Sequence, residues 1–364
     1  MTRRCRGCGH TTLTTVLDLG AVPAADHFPP RDTPVEPTEA AHPLRMDRCG
    51  RCGLAQLADD DTVTAEPRGI EPQALRDQAA DAVARVRSAG LLCGDTVTEF
   101  GSPHGGSWLP LLTGHGFTET ARQADVVLDC FGIMHEPDQR AAFATRARAT
   151  APDGVLLVQY HSLAAIVAQG QWNALRHGHF AYYSLSALRT LLGVAGMSVV
   201  TVWEFDLYGG TVLLAARHGD HPADATVARV LAAEAGVVDH AADLQQVVDR
   251  HVHALTAWLD AAAAKGLRVY AYGAASRAVA LLSMAGARRE LLAGVADAAP
   301  AKQGRRMPGT DVPIISPAEL VAAAPDAVLL TLPDLLAEVR TRLPELDGRW
   351  FVDDPAGPRR PAMP

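Results

Sequence analysis

The chain has 364 residues, a hydrophobic fraction of 48%, a charged fraction of 20% and a formal net charge of -8. That length admits two or three domains with ordinary cores, and the composition is that of a soluble globular protein. The acidic balance excludes a nucleic-acid surface, which needs a basic face to displace counterions. No segment reaches the roughly 20 apolar residues of a membrane span. The opening MTRRCRGCGH lacks the apolar run of a signal peptide, so a cytoplasmic protein is expected.

Residues 1–65 are rich in Pro, Cys and charge, with no long apolar period, and end in the linker-like ADDDTVTAEPRGIEPQ. ALRDQAADAVARVRSAGLL then has helical spacing. From Thr96 the pattern alternates: VTEF, ADVVLDCFG, GVLLVQYH, MSVVTVWEF and GTVLLAAR read as strands. Between them SWLPLL, DQRAAFATRARAT and SLSALRTLLGVAG read as helices, the last with Ser184 as its cap. Strands alternating with helices predict a parallel, doubly wound sheet over residues 66–220. Residues 221–364 open with a helical stretch from about Ala223 to Lys265. GLRVYAYGAASRAVALLSMAG then restarts the strand, glycine turn and helix, and LLAGVADA, VPIIS, DAVLLTL and RWFVDD supply further strands. That predicts a second Rossmann-like unit.

Four of the six cysteines form two C-x-x-C pairs, Cys5 with Cys8 and Cys49 with Cys52. Two thiolates two residues apart hold one ion through a tight turn, and two such turns complete a tetrahedral zinc site. With all four positions taken by cysteine the zinc is structural. Cys93 and Cys130 lie in apolar surroundings and read as core residues.

VLDLGAVPAADHFPP and HPLRMDRCGRCGLAQL resemble the zinc-binding domain of the deoxysugar C-methyltransferases. GHFAYYSLSALRTLLGVAGMSV with YGGT resembles that family's catalytic region, and YGAASRAVALLSMAG, KQGRRMPGTDVPIISPAEL and PDAVLLTLP its C-terminal domain. The resemblance implies an α/β protein of three parts: an N-terminal zinc-binding module, a shortened methyltransferase-type Rossmann domain and a C-terminal Rossmann-like domain. It implies S-adenosylmethionine as methyl donor and a nucleotide-linked keto-deoxysugar, of the dTDP type, as substrate in natural-product biosynthesis.

A carbon beside a carbonyl becomes nucleophilic only after a base removes its proton and donors stabilise the enolate. The family's motif for this step matches RHGHFAYY, which implies catalytic roles for His179, His177 and Arg176. The tyrosine of that motif has become Arg176 and the glutamate Gly178. Tyr183, Tyr208, Gly209, Gly210 and Thr211 are implied to bind substrate, with Tyr208 replacing a histidine and Thr211 a serine. The cofactor loop is implied at Glu99, Gly101, Ser102 and Gly105, with Pro103 and His104 where the family has Asn and Asp.

A ribose needs an acidic acceptor about 20 residues past such a loop. Here GHGFTETARQADVVLDCFG runs almost directly to the next strand, so a strand and a helix are missing and Glu119 is the nearby acid. The loop is therefore expected to bind S-adenosylmethionine weakly or not at all. Three readings follow: a working C-methyltransferase, a ketosugar epimerase or isomerase that enolises without a methyl donor, and a non-catalytic sugar-nucleotide-binding protein.

Overall fold

The structure is a computed structural model and describes residues 3–62, 71–103 and 105–361. Residues 63–70 of the expected linker and His104 of the glycine loop lie outside them.

The N-terminal module is built on β1 (Leu13–Val22), β2 (His42–Cys49) and β3 (Ala55–Leu57), paired antiparallel in that order. Its two knuckles are copies of one turn. Each reads C-x-x-C-G, and the N–H of Gly9 or Gly53 donates to the carbonyl of Cys5 or Cys49 at 2.9 and 3.0 Å. Both glycines have φ near +75°, which a side chain would strain.

The second unit runs α1 (Gln73–Ser88), β4 (Thr96–Phe100), α2 (Leu109–Gly114), β5 (Thr118–Glu119), β6 (Ala124–Cys130), α3 (Gln139–Ala149), β7 (Thr150–His161) and α4 (Leu163–Ala168). It continues through β8 (Ala181–Tyr182), α5 (Leu185–Val194), β9 (Met197–Phe205) and β10 (Thr211–His218). The sheet order is β5-β4-β6-β7-β10-β9, parallel from β5 to β7, with β10 antiparallel to both neighbours. β7 is buried from Val155 to Tyr160, as a central strand covered on both faces must be. The strand after the glycine loop, expected to be missing, is present but only two residues long, and Thr120–Gln123 lead straight from it into β6. β8 leaves this sheet and pairs with β3, so it is the fourth strand of the zinc module.

The expected single helical stretch after residue 221 is two helices, α6 (Ala225–Glu234) and α7 (Leu244–Ala264). Gly236, at φ +80°, and a 3-10 turn over Val238–Asp243 break it. The third unit is β11 (Val269–Tyr272), α8 (Ser276–Met284), β12 (Val295–Ala296), β13 (Ile314–Ile315), α9 (Pro317–Ala322), β14 (Ala327–Leu330), α10 (Leu336–Arg342) and β15 (Trp350–Val352). Its five strands are all parallel, in the order β13-β12-β11-β14-β15. One apolar core joins the module to this unit: Leu17, Leu19, Phe28 and Met46 pack with Leu255, Leu259, Val279 and Met307.

Candidate active site

The cysteine site assembles first. Sγ of Cys5 lies 3.5 Å from that of Cys52, Sγ of Cys8 lies 3.6 Å from that of Cys49, and all four fall within 4.8 Å of one another. Zinc–sulfur bonds of about 2.3 Å in a tetrahedron put sulfurs about 3.8 Å apart, so the donor set fits a structural zinc. The hydrogen bond from Cys52 pulls Cys5 down to about 5, and the same contact pushes Cys52 up.

The module holds the Arg176–Tyr183 stretch. Gly178 N–H donates to Asp60 Oδ2 at 2.7 Å, Leu57 N–H to the Phe180 carbonyl, and β8 pairs with Ala55 and Gln56. His177 is part of that seam. Its ring is buried, Nε2 donates to the Pro43 carbonyl at 3.2 Å, and burial lowers its pKa. It does not line the cavity, so the structure does not support a catalytic role for it.

The cavity is a volume of about 300 Å3 between the carboxyl ends of β4, β6 and β7 and those of β11 and β12. Ligands of doubly wound sheets bind at such ends. On one wall are Gly101, Ser102 and Gly105, and a Cβ on Gly101 or Gly105 would meet nothing within 4 Å. Glu99 lines the same wall but is committed to the loop: its carboxylate accepts from Ser107 Oγ at 2.5 Å and Trp108 N–H at 2.7 Å. Phe100, Phe131 and Met134 give this end an apolar face. Glu119 is elsewhere. It is exposed on β5, level with Val97, and at a strand rise of about 3.3 Å per residue it falls roughly 10 Å short of the loop. The acid that does reach the loop is Glu71, whose Oε1 lies where a Cβ on Gly106 would come within 2.8 Å of it.

The opposite wall carries Gly273, Ala275, Ser276 and Arg277 from the turn after β11, with Asp297 and Lys302. Asp297 accepts from the N–H groups of Ala274 and Ala299, both at 2.8 Å, and the buried Lys302 donates to the Ala274 carbonyl at 2.9 Å. Arg176 and Arg277 both line the cavity. Burial and the charge of Arg176 lower the pKa of Arg277, with Asp334 opposing. Two guanidinium groups lining one cavity can attract an anion.

His179 is buried in the floor, and Arg176 Nε donates to its Nε2 at 2.9 Å. His135 stacks edge-on against it, ring centres 4.4 Å apart, and its Nδ1 donates to the Gly178 carbonyl at 2.9 Å. His161 also lines the cavity; sequence patterning marked it only as the end of a strand.

The expected substrate residues divide. Tyr208 faces the cavity at φ +52°, and burial raises its pKa. Tyr183 does not: its hydroxyl donates to Gln139 Oε1 in the core, and the adjacent Tyr182 lines the cavity, its hydroxyl accepting from Arg176 N–H at 3.1 Å. Thr211 is buried and donates to the Leu207 carbonyl. Gly209 and Gly210 are spent on chain packing rather than ligand approach. A Cβ on Gly209 would strike Gln171 at 1.9 Å, and one on Gly210 would strike Ala165 at 2.5 Å.

Domain families match in three consecutive stretches: a zinc binding domain over residues 5–66, a methyltransferase domain over 77–202 and a C-methyltransferase C-terminal domain over 206–353. The chain is 28% identical to C-methyltransferase NovU of Streptomyces niveus, covering 96% of this chain and 95% of that one. Among solved structures, it is similar to the CcbJ methyltransferase from Streptomyces caelestis, with 13% identity, 41% and 97% of the two chains covered and a TM-score of 0.31. It is also similar to an S-adenosylmethionine-dependent methyltransferase from Clostridium acetobutylicum, with 10% identity, 40% and 92% covered and a TM-score of 0.29. No helix among the described residues is long and apolar enough to cross a membrane.

Proposed function

Because the chain belongs to the zinc-binding, S-adenosylmethionine-dependent C-methyltransferases, we propose that it methylates a carbon beside the keto group of a nucleotide-linked deoxysugar of the dTDP type. The observation that carries this reading is the single cavity shared by the glycine loop, Arg176 with His179, and Arg277 of the other unit. A methyl donor at the loop and an anionic sugar substrate at the two guanidinium groups would meet in that one space.

S-adenosylmethionine, when bound, supplies an electrophilic methyl group. Gly101, Ser102 and Gly105 leave it room, Glu71 offers a carboxylate beside the loop, and Phe100, Phe131 and Met134 match its apolar parts. The room at the loop and the acid beside it fit the cofactor despite the short β5. Arg277 attracts the diphosphate, and Arg176 stands where an enolate oxygen needs positive charge. A cavity imidazole removes the proton, with the two units excluding water around it.

The test is methyl transfer from labelled S-adenosylmethionine to dTDP-4-keto-6-deoxyglucose. A methyl group on the ring carbon beside the ketone is expected. Exchange of that carbon's proton with solvent and no methylation would identify an epimerase or isomerase, and neither outcome with intact dTDP binding would leave a binding protein.

A further inference from the structure

α1 starts beside the cavity, with Pro72 in the lining, and it cannot cap itself. Pro72 is its N-cap and has no side-chain oxygen, and the first turn holds no acid. The first N–H groups of a helix need acceptors and favour a negative charge. Leu75 and Arg76 donate back to the Pro72 carbonyl, at 3.2 and 3.4 Å. Gln73 N–H is satisfied from the other unit: Glu338 of α10 accepts it through Oε2 at 3.0 Å. The second oxygen of Glu338 accepts from Arg342 Nη2 at 2.9 Å, one turn further along α10, and the Glu338 side chain is only 16% exposed. Glu71, Glu338 and Arg342 all line the cavity, so these contacts join one wall to the other.

What the cap holds is the acid at the glycine loop. Gln73 is two residues past Glu71, and the residue between them is a proline, whose ring fixes φ at -64°. The Glu71 carbonyl is tied to the same turn by Arg76 Nη1 at 2.8 Å. Fixing the start of α1 therefore fixes Glu71. Resting on the reading of Glu71 as the acid beside S-adenosylmethionine, we propose that Glu338 is a positioning residue for the methyl donor. From the substrate wall it holds the start of α1, and through it places the Glu71 carboxylate at Gly106.

Glu338 touches no reacting atom in this role. Arg342 offsets its charge, so two carboxylates can stand near one helix start without driving each other away. The cofactor half of the cavity is thus completed by a residue of the other half. The methyl donor is held best when both walls are in place, which is also when an acceptor can lie beside it.

The experiment is calorimetry of S-adenosylmethionine and, separately, of dTDP on the full chain. Glu338→Ala should weaken S-adenosylmethionine by about five- to ten-fold, approaching the loss in Glu71→Gln. It should not weaken dTDP, because removing a carboxylate from that wall takes away no attraction for a diphosphate. Glu338→Gln keeps an oxygen that can accept from Gln73 N–H and should stay within about three-fold of wild type. Gln73→Pro removes the donated N–H at a helix position that suits proline, and should repeat the loss with Glu338 intact. That variant keeps the test informative if alanine disturbs α10. In a Glu71→Gln background Glu338→Ala should add less than about two-fold, since it acts through Glu71. Wild-type affinity in both Glu338→Ala and Gln73→Pro would overturn the assignment, as would equal weakening of both ligands or losses that multiply in the double variant. Wild-type affinity in Glu71→Gln would instead remove the reading of Glu71 on which the assignment rests.

Discussion

The two Rossmann-like units face each other across one cavity, and they are not equally complete. In the C-terminal unit the acid at the end of the second strand is in place: Asp297 follows β12 and is tied to the turn after β11 through Ala274 N–H. In the first unit the corresponding strand is equally short, but it pairs with the start of β4 where β12 pairs with the end of β11, so its acid, Glu119, stops short of the loop. The entry to α1 brings Glu71 to that loop from outside the sheet. Glu71 is thus placed where it could take the part of the acid that the strand usually supplies.

The zinc module makes this arrangement possible, because it grips both units. It holds the first through β8, Asp60 and Pro43, and the second through the shared core and the buried Arg306, which binds Glu39 and the carbonyls of Thr33 and Pro34. The largest expected effect comes from breaking the module itself. Cys49→Ser should abolish zinc, measured by elemental analysis against one ion per wild-type chain. Structural zinc binding is worth about 10–16 kcal/mol of coupled folding in small domains. With β3 released, β8 and the Arg176–His179 loop lose their support, and methyl transfer should fall by two orders of magnitude or more. Unchanged zinc content would refute the assignment of these ligands.

The next effect separates the two half-sites. Arg277→Met removes a cation from the C-terminal wall and should weaken dTDP binding by roughly ten- to a hundred-fold, the worth of one charge-assisted hydrogen bond. S-adenosylmethionine binding by calorimetry should stay within about two-fold, since the loop of the first unit is untouched. Equal losses for both ligands would mean that the cavity does not divide as the two units do.

What the sequence disclosed about these units follows the range of the interactions involved. Strands and helices were legible because their periodicity is local, and the two knuckles because C-x-x-C carries its own geometry. Side-chain direction was not legible. Tyr182 and Tyr183 are adjacent, so one faces the cavity and the other the core, and only the pairing of β8 with β3 decides which. His177 and His179 are parted by Gly178 at φ +77°, which sends one ring to the module and the other to the cavity. Gly209 and Gly210 read as a ligand loop, yet what they approach is Ala165 and Gln171. His161 and Glu71 carried no signal, because the cavity they line is assembled from distant parts of the chain.

Within the cofactor half, Glu71 and Glu119 can be set against each other. Glu71→Gln keeps the shape and removes the charge beside the loop; affinity for S-adenosylmethionine should drop about ten-fold, as for one hydrogen bond to a charged group. Glu119→Ala removes an exposed side chain outside the cavity and should change the affinity by less than about two-fold. Calorimetry of the two variants decides which acid serves the loop. The reverse order would mean that the short strand still supplies the ribose acceptor.

The smallest effect tests the module's second grip, on the complete unit, through pH. Burial pushes the Glu39 carboxyl up, but the hydrogen bonds from Arg306 and from the N–H groups of Glu36 and Gly309 outweigh it and hold the pKa below its usual value. A depressed carboxyl pKa contributes stability that is fully present above the unfolded value, near 4.3 for glutamate, and is lost as pH falls through the folded one. Wild-type protein should therefore melt above Glu39→Gln at neutral pH, by a few degrees at most because the carboxylate is only partly shielded. Below about pH 4 the two melting temperatures should converge, since the wild-type side chain is then protonated as well. Zinc is released by acid in the same range, so the comparison must be the difference between the two proteins at each pH, in which that loss cancels. A difference that persisted undiminished at low pH would show that the glutamine disturbs packing, and that the charge of Glu39 contributes nothing to holding the module on the C-terminal unit.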